Sequence, residues 1–321
     1  MIHTLRLLCA ACALCLLQTG AWAQGAPRPV RIIVPFAVGG TSDTFTRIIA
    51  QKITEQTGKT VIVENRTGAG GRIGYETAAH APGDGTTLVL IDATYSMLPG
   101  LFTTLPWDYA NDLVPVALIA QTPFVIIVNP DTGLKTFAEL LAQARTQPGK
   151  LNFGSAGAGS VNHIVTELFK SEAKIDLTHI PFKGMGDAMV ALQSGTVDLI
   201  VTATPTAIGQ IKGGKVRALA VTSAQRSPVF PGVPTAVESG VPGYAVTNWF
   251  GLAAPKGTPV ATINTLRDDV VRALGAPDVK ERLLAQGAEA SNFTPEEFAR
   301  FVKEDTQRWT RVIKASGLKA E

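Results

Sequence analysis

The chain has 321 residues, of which 45% are hydrophobic and 17% are charged, and its formal net charge is +3. This composition excludes a disordered chain, and the scattered Lys and Arg residues form no basic patch for nucleic acid. A chain of this length is expected to form one large domain or two ordinary ones.

The first 23 residues have the pattern of a cleavable secretory signal. Arg6 supplies the positive end, residues 7–17 the apolar centre, and Ala21-Trp22-Ala23 a cleavage site before Gln24. An uncleaved anchor is the alternative, but the apolar run is shorter than the roughly 20 residues that span a bilayer. A lipoprotein site at Cys12 is a second alternative, and the apolar stretch before it is very short.

All three cysteines of the chain lie inside this predicted signal, at positions 9, 12 and 15. The mature chain therefore has no disulfide, no thiolate nucleophile and no cysteine metal site.

The mature chain opens with a predicted strand, glycine loop and helix. The β-branched run at 32–34 predicts a buried strand. Gly39-Gly40 predict a tight turn, and Thr41 or Ser42 is the expected cap of a helix that ends at Gly58. A helix start of this kind carries free N–H groups, so the pattern predicts a site for a carboxylate or phosphate.

The rest of the chain alternates predicted strands and helices, which indicates βαβ units and a mostly parallel sheet. Strands are predicted at 60–64, 87–91, 113–120, 124–129, 151–153, 177–180, 197–201, 216–221 and 249–254, and residues 92–96 are predicted to be a polar loop. Helices are predicted at 73–79, 137–145, 161–170, 187–193, 207–212, 258–274, 279–286 and 294–313. The final segment is expected to return to the first lobe, with two crossings near 121–129 and 243–250 and a cleft between two lobes.

Three loop-to-helix units share one form: PFAVGGTSD, FGSAGAGS and PFKGMGD. Ligands of open parallel sheets bind at such loops, beyond the carboxyl ends of the strands. If the lobes face each other there, helix N-termini from both converge on one anionic ligand. One such loop is more often only a tight turn, but three together indicate binding.

No nucleotide or hydrolase motif is complete. The glycines of FGSAGAGS do not match G-x-G-x-x-G, and neither a G-x-x-x-x-G-K-[ST] loop nor a G-x-S-x-G elbow occurs. The mature chain has three histidines, His80, His163 and His179, at no metal-ligand spacing. His163 is interpreted as a cap-adjacent or partly buried residue rather than a general base.

Asp43 near a helix start complements the helix dipole, which alone explains it. Three further residues have two interpretations each, the first being Asp198, which lies at a strand edge in a structural or a chemical role. Lys183 is either a counter-charge for a ligand or a solvated side chain. Trp249 either flanks a ligand or packs in the core.

The motifs in order carry a family resemblance. They are VPFAVGGTSD, ENRTGAGG, PGDGTTL, LNFGSAGAGSVNH, PFKGMGDAM, GKVRALAVTSAQRSP, VPTAVESGVPGY and NWFGLAAPKGTP. With the signal peptide they resemble the Bug family, the periplasmic binding proteins of tripartite tricarboxylate transporters, over essentially the whole mature chain. The resemblance implies a two-lobed Venus-flytrap α/β fold, in which each lobe is a central, mostly parallel sheet flanked by helices. The expected boundaries are 1–23 for the signal, 28–124 and 249–321 for the first lobe, and 125–248 for the second.

The resemblance also implies a function. The ligand would be a small carboxylate or dicarboxylate held partly through waters and backbone N–H groups, and the partner a membrane permease with two integral subunits. It implies a periplasmic protein without catalysis. A monomer is the default expectation for a protein that must clamp and release its ligand, and no cofactor or metal is expected. The residues expected at the ligand are Phe36, Gly39, Gly40, Thr41, Asp43, Thr94, Ser96, Ser155, Gly157, Ser160, Phe182, Lys183, Gly184, Thr202 and Trp249.

One position departs from the family pattern. Family members often carry an acidic residue after VDLI, where this chain has Thr202. An acid there could meet the ammonium of an amino acid, so its absence favours an aliphatic or aromatic carboxylate without an amine. Two alternatives remain: a sensor that presents its ligand to a membrane kinase, and a secreted hydrolase or lyase using His163 with Asp43 or Asp198.

Overall fold

The computed structural model describes residues 28–291 and 293–318. The predicted signal, its cleavage site and the cysteines lie outside this part of the chain. Within it, no helix is both long enough and apolar enough to cross a bilayer.

The described chain alternates strands and helices. The strands are β1 (Val30–Val34), β2 (Val61–Asn65), β3 (Thr87–Asp92), β4 (Leu113–Val128), β5 (Asn152–Ser155), β6 (Thr178–Pro181), β7 (Leu199–Ala203), β8 (Arg217–Val221), β9 (Thr247–Pro255) and β10 (Glu289–Ala290). The helices are α1 (Thr41–Thr57), α2 (Arg72–Ala79), α3 (Ala93–Leu101), α4 (Phe137–Thr146), α5 (Val161–Ala173), α6 (Met185–Gln193), α7 (Thr204–Lys212), α8 (Val260–Gly275), α9 (Pro277–Ala285) and α10 (Pro295–Ala315). Two 3₁₀ turns, Ala69–Gly71 and Pro130–Thr132, complete the set.

The strands form two sheets that share β4. The first has the order β2-β1-β3-β9-β4, with β10 on the far side of β4, and the second has the order β6-β5-β7-β4, with β8 on the far side of β4. Within each sheet the strands joined by helices are parallel, whereas β4 and β9 run antiparallel to their neighbours. The predicted two-lobed α/β fold is confirmed, with one lobe built on each sheet.

The path of β4 makes the parallel strands of the two lobes point at each other. Asp92, the last residue of β3, is aligned through Phe250 with Ala120 of β4. Ala203, the last residue of β7, pairs with Phe124 of β4. These two levels on β4 are four residues apart, which is about 13 Å of strand. Because β3 runs with β4 and β7 runs against it, the carboxyl ends of both sets of strands face the same crossing.

Each sheet is covered on both faces by helices. The first packs against α1 and α8 on one face and against α2, α3 and the start of α10 on the other. The second packs against α4 and α5 on one face and against α6 and α7 on the other. Helix α10 belongs to both lobes: Phe298 lies in the first core, whereas Trp309 and Ile313 lie in the second. The lobe boundaries drawn from the sequence stay a prediction.

Three local predictions were wrong. Thr41 or Ser42 was the expected cap of α1, but both residues lie inside that helix, and its N-cap is Gly40, which has no side chain to form a cap. Residues 113–120 and 124–129 were predicted as separate strands, but β4 is continuous because Gln121, Thr122 and Pro123 pair with the start of β9. The predicted polar loop at 92–96 is instead the start of α3. The Asp92 side chain accepts a hydrogen bond from Thr94 N and so caps that helix.

Candidate ligand-binding site

The N-terminus of α1 stands at the carboxyl end of β1 and has no side-chain cap. In an α-helix the first N–H groups have no partner within the helix. Among the described residues, nothing accepts a hydrogen bond from the backbone N–H of Thr41, Ser42 or Asp43. Gly39 and Gly40, just before them, are exposed. This end of the helix therefore presents open N–H donors and a positive dipole.

Asp43 shapes the loop that leads to this helix. Its buried carboxylate accepts hydrogen bonds from Arg47 Nε at 2.9 Å, Gly39 N at 2.9 Å and Asn65 Nδ2 at 2.9 Å. Burial works to raise the pKa of Asp43, but these hydrogen bonds outweigh it and hold the pKa below its usual value. The side chain thus stays a carboxylate committed to the loop. Phe36, earlier in the loop, is half-buried against the first core.

Asp92 was not predicted as a site residue, yet its side chain is hydrogen-bonded to the first turns of both α1 and α3. Its buried carboxylate accepts hydrogen bonds from Thr94 N at 3.0 Å, Tyr75 Oη at 3.3 Å and Ser42 Oγ at 3.4 Å. Burial raises the pKa of Asp92 to about 6. The sequence held a signal for it, since an aspartate directly after an apolar strand and two residues before a threonine is typical of a helix cap.

Two of the predicted ligand contacts lie in the core instead. Trp249 is fully buried, packs edge-on against Phe298 and Phe301, and donates from its indole Nε1 to Asp305 Oδ2 at 2.8 Å. Of its two interpretations, the structure agrees with core packing. Ser96 is also fully buried, and its Oγ has no hydrogen-bond partner among the described residues. Thr94 remains half-buried at the first turn of α3.

In the second lobe, the loop after β5 is held by its own serine. Ser155 Oγ lies 3.1 Å from Gly157 N and 3.0 Å from Gly157 O, and Gly157 has a φ of +116°, which favours glycine. Ser160 then caps α5 by accepting from His163 N at 3.3 Å. The backbone N–H groups of Val161 and Asn162 have no acceptor within the described chain, so they are open at the helix start.

The start of α6 lies beside this loop. Phe182 N donates to Ser155 O at 3.1 Å, which ties the two loops together. Gly184 precedes α6 with no side-chain cap, and Lys183 is exposed. Like α1, this helix offers N–H donors unpaired in the part of the chain that the structure describes. Phe182 itself is half-buried against the second core.

Thr202 is the last residue but one of β7 and is buried beside Val125 of β4. The site residues that the structure gathers at the facing strand ends are Gly39, Gly40, Thr41, Thr94, Gly157, Ser160, Lys183 and Gly184. Those it places beneath or away from the open surface are Asp43, Ser96, Ser155, Thr202 and Trp249.

The groups suggested for a hydrolase do not meet. Asp198 lies at the amino end of β7, where Oδ2 accepts from Asn152 N at 2.7 Å, whereas Asp43 lies beyond the carboxyl end of β1 in the other lobe. His163 is only 5% exposed. In the described residues, no three His, Cys, Asp or Glu side chains are close enough to hold a metal ion.

A cavity of about 820 Å³ is lined by other parts of the second lobe and the last helix, among them Glu172, Gly243 and Arg308. None of its lining residues belongs to the loops described above. The arrangement of open helix N-termini, rather than this cavity, marks the candidate ligand site.

The fold and the site together define a solute-binding protein of the periplasmic binding protein type. Residues 45–318 match the TctC family, described as the tripartite tricarboxylate transporter family receptor. The chain belongs to this family.

The chain matches relatives over nearly their whole length. The chain is 37% identical to protein BugT of Bordetella pertussis, covering 91% of this chain and 90% of BugT. It is 35% identical to the periplasmic binding protein BugD, with a TM-score of 0.80, covering 92% of this chain and 99% of BugD.

Two similar structures contain ligands. One is Rpa4515 of R. palustris with adipate, at 34% identity and a TM-score of 0.82, covering 92% of this chain and 99% of that protein. The other is MatC of Rhodopseudomonas palustris with bound malate, at 36% identity and a TM-score of 0.78, covering 89% of this chain and 99% of MatC.

Proposed function

We propose that this protein captures a small dicarboxylate without an amino group between its two lobes and delivers it to a membrane permease. The observation that carries the proposal is the set of open helix N-termini, from α1 in one lobe and from α5 and α6 in the other. They stand at strand ends that face the same crossing. Carboxylates are suited to such ends because each oxygen can accept from backbone N–H groups.

The two carboxylates of one ligand would each contact a different lobe. One carboxylate would accept from the start of α1, and the second from the starts of α5 and α6. An exposed helix N-terminus contributes about 0.3–1 kcal/mol to binding a negative group, and up to about 2 kcal/mol when partly buried. Closure of the lobes would bury both ends, so the ligand favours the closed form through contacts that only that form provides.

The chemistry of the site argues against an ammonium group on the ligand. Thr202 is neutral and buried, and the nearby Asp92 carboxylate already accepts three hydrogen bonds. Adipate and malate, the ligands bound to the two related proteins, are dicarboxylates without an amine. This similarity supports the same class here.

The proposal extends to the setting of the protein. The signal at 1–23 would direct export and be removed after Ala23, leaving a periplasmic monomer that binds without catalysis. The family description supports a transporter partner, and we propose a permease with two integral subunits. The alternative function is that the protein presents its bound ligand to a membrane sensor kinase, and it would use the same ligand site.

A thermal-unfolding screen of the mature protein tests the ligand class. The panel is adipate, malate, succinate, glutamate, lysine and glucose. A ligand at one hundred times its Kd adds about 2.7 kcal/mol to the free energy of unfolding, so a hit raises the midpoint clearly. We expect hits among the amine-free dicarboxylates alone, namely adipate, malate and succinate. A hit with glutamate or lysine only would overturn the amine-free ligand, and hits with glucose only would overturn the anion site.

A further inference from the structure

Two histidines stack directly beneath the ligand loop of the second lobe. The ring centroids of His163, in the first turn of α5, and His179, in β6, are 3.8 Å apart, and their planes differ by 14°. Phe153 of β5 lies beside the pair, with its ring centroid 4.8 Å from that of His179 and 6.0 Å from that of His163. Neither imidazole lies among the open N–H donors of the proposed site.

The Nδ1 atom of His163 holds the loop by accepting a hydrogen bond from its backbone. Gly159 N donates to it at 3.1 Å, which requires a lone pair on Nδ1. The proton of the neutral ring is therefore on Nε2, which lies 3.7 Å from Glu167 Oε1, beyond hydrogen-bond distance. A second proton could be added only at the atom that Gly159 uses.

His179 holds the other end of the same loop. Its Nε2 lies 2.7 Å from Ser155 Oγ, the hydroxyl that also contacts Gly157 N and Gly157 O. With the Ser155 proton directed at the Gly157 carbonyl, the hydroxyl accepts from His179 Nε2 and from Gly157 N, so its donor and both of its acceptor sites are used. The two rings thus support the backbone from 155 to 159.

We propose that His163 and His179 are positioning residues that hold this loop in its ligand-binding shape, and that protonation of His163 at the atom that accepts from Gly159 releases the loop, so that acid weakens ligand binding. This inference rests on the proposed function, because it assigns a control to the same site. It is local to the second lobe and does not involve the N-terminus of α1.

The chemistry of protonation explains the direction. A proton on His163 Nδ1 would face the Gly159 N–H, so an attraction becomes a repulsion. If both rings were charged, two cations would be stacked at 3.8 Å, which Coulomb repulsion opposes. Both changes push the loop away from the shape that presents the start of α5.

Nearby charged groups shift the pKa values of the two histidines, some downward and others upward. Burial, assisted by the charge of Lys170, lowers the pKa of His163 to about 4. Burial lowers the pKa of His179 to about 4, assisted by His163 and Lys170 and opposed by Glu167. Lys170 is itself paired with Glu167 at 3.0 Å and lies 3.8 Å from Asp176. The pair is therefore neutral at pH 7 and takes up protons near pH 4.

The test compares ligand affinity in the wild type and in His163→Asn between pH 7.5 and pH 3.5. An asparagine oxygen can accept from Gly159 N but does not titrate. Adipate and malate are the probes, and because both proteins meet the same ligand, protonation of the ligand cancels in the comparison. For one group with a pKa near 4, the wild type should lose about fourfold more affinity than His163→Asn at pH 3.5. Circular dichroism at each pH monitors folding.

His163→Leu provides the matched control, because it fills the space without an acceptor. It should bind more weakly than His163→Asn already at pH 7.5. Equal pH dependence in the wild type and His163→Asn, or equal affinity of the Leu and Asn variants, would overturn the inference.

A second measurement needs no ligand. In the NMR spectrum of the free protein, the Gly159 amide shift should change with a midpoint near pH 4 and stay constant in His163→Asn. If the Gly159 amide shift stays constant while the His163 ring titrates, the inference is overturned. If neither adipate nor malate binds at pH 7.5, the proposed ligand class fails, and the amide titration still decides whether the histidines control the loop.

Discussion

The indole Nε1 of Trp249 donates a 2.8 Å hydrogen bond to Oδ2 of Asp305. This bond ties β9, the strand that returns to the first lobe, to α10. The far end of α10 packs Trp309 and Ile313 into the core of the second lobe. One helix is therefore anchored beside the crossing and packs into the cores of both lobes.

The partly buried Asp305 carboxyl predicts a pH-dependent stability of the fold. Burial raises its pKa to about 6, so below pH 4 the folded and unfolded chains both hold the proton, and the favourable contribution is lost as the pH rises through 6. Asp305→Asn keeps an oxygen for the indole without a charge. We expect it to raise the free energy of unfolding at pH 7.5 by about 1–3 kcal/mol.

Urea unfolding at pH 7.5 and pH 4.5 checks this expectation. The gain of Asp305→Asn should shrink by more than half at pH 4.5, where the wild-type carboxyl is already largely protonated when folded. Glu304→Gln is the matched control, since Glu304 is the exposed neighbour on the same helix. A gain that is the same at both pH values would contradict the assignment.

Gly39 and Gly58 separate a loss of stability from a loss of binding. Both are in the left-handed region, at φ +83° and +70°, and an added Cβ would meet no atom within 4 Å at either position. Each change to Ala should therefore destabilise the fold by about 1–2 kcal/mol. Gly39 precedes the open end of α1, whereas Gly58 ends that helix, so only Gly39→Ala should weaken adipate binding. Calorimetry showing equal affinity for both variants would argue against a ligand at this loop.

A substitution at Gly40 should change the stability of α1 and the affinity for a dicarboxylate in opposite directions. Its φ of −71° suits any residue, and a Cβ would lie 3.5 Å from Ala37 O. Gly40→Asp adds a side-chain cap, which we expect to stabilise α1 by a few tenths of a kcal/mol. The same carboxylate would occupy and repel the anion site, reducing dicarboxylate affinity more than tenfold. Gly40→Ala, which adds neither cap nor charge, should bind nearly as the wild type does; an Asp variant of unchanged affinity would refute this role for α1.

The histidine pair predicts a second pH effect, on stability. Their pKa values of about 4 lie below the ordinary value of 6.5, so between pH 6.5 and pH 4 the unfolded chain binds more protons. Stability therefore falls as the pH falls, by on the order of 1.4 kcal/mol per pH unit for each histidine. The raised pKa values of Asp92 and Asp305 act in the opposite direction over pH 6 to 4.

The wild type should consequently show a shallow stability curve in this range. His163→Asn removes one of the two histidines whose protonation favours the unfolded chain. The stability of this variant relative to the wild type should therefore increase as the pH is lowered. Denaturant melts at pH 6.5 and pH 4.5 provide the measurement. A difference between the two proteins that is constant with pH would show that His163 does not titrate in the folded state at a lowered pKa.

Local signals in the sequence predicted much of this fold. Thr136 and Glu139 form a capping box at the start of α4, Thr294 and Glu297 form one at the start of α10, and Ser160 caps α5. These features depend on bonds between residues three apart, which adjacent sequence specifies. The three glycine loops were also recognisable, because each combines a strand end with a helix start.

Features that depend on distant pairing were harder to predict. The continuity of β4 comes from β9, more than 120 residues later. Trp249 is a core residue because Asp305 and two phenylalanines surround it, and none of these is its neighbour in sequence. The stacking of His163 on His179 likewise joins a helix to a strand of the second lobe. Spacing alone could not distinguish these side chains from ligand contacts.

The most direct test of the account is calorimetric titration of the mature protein with adipate, α-aminoadipate and adipamide. The three ligands share one carbon chain and differ by an added amine or by loss of both charges. Adipate should bind, α-aminoadipate should bind at least tenfold more weakly because no free acid meets its ammonium, and adipamide should show no binding. If adipamide binds as tightly as adipate, the helix N-termini do not form an anion site, and the central claim is wrong.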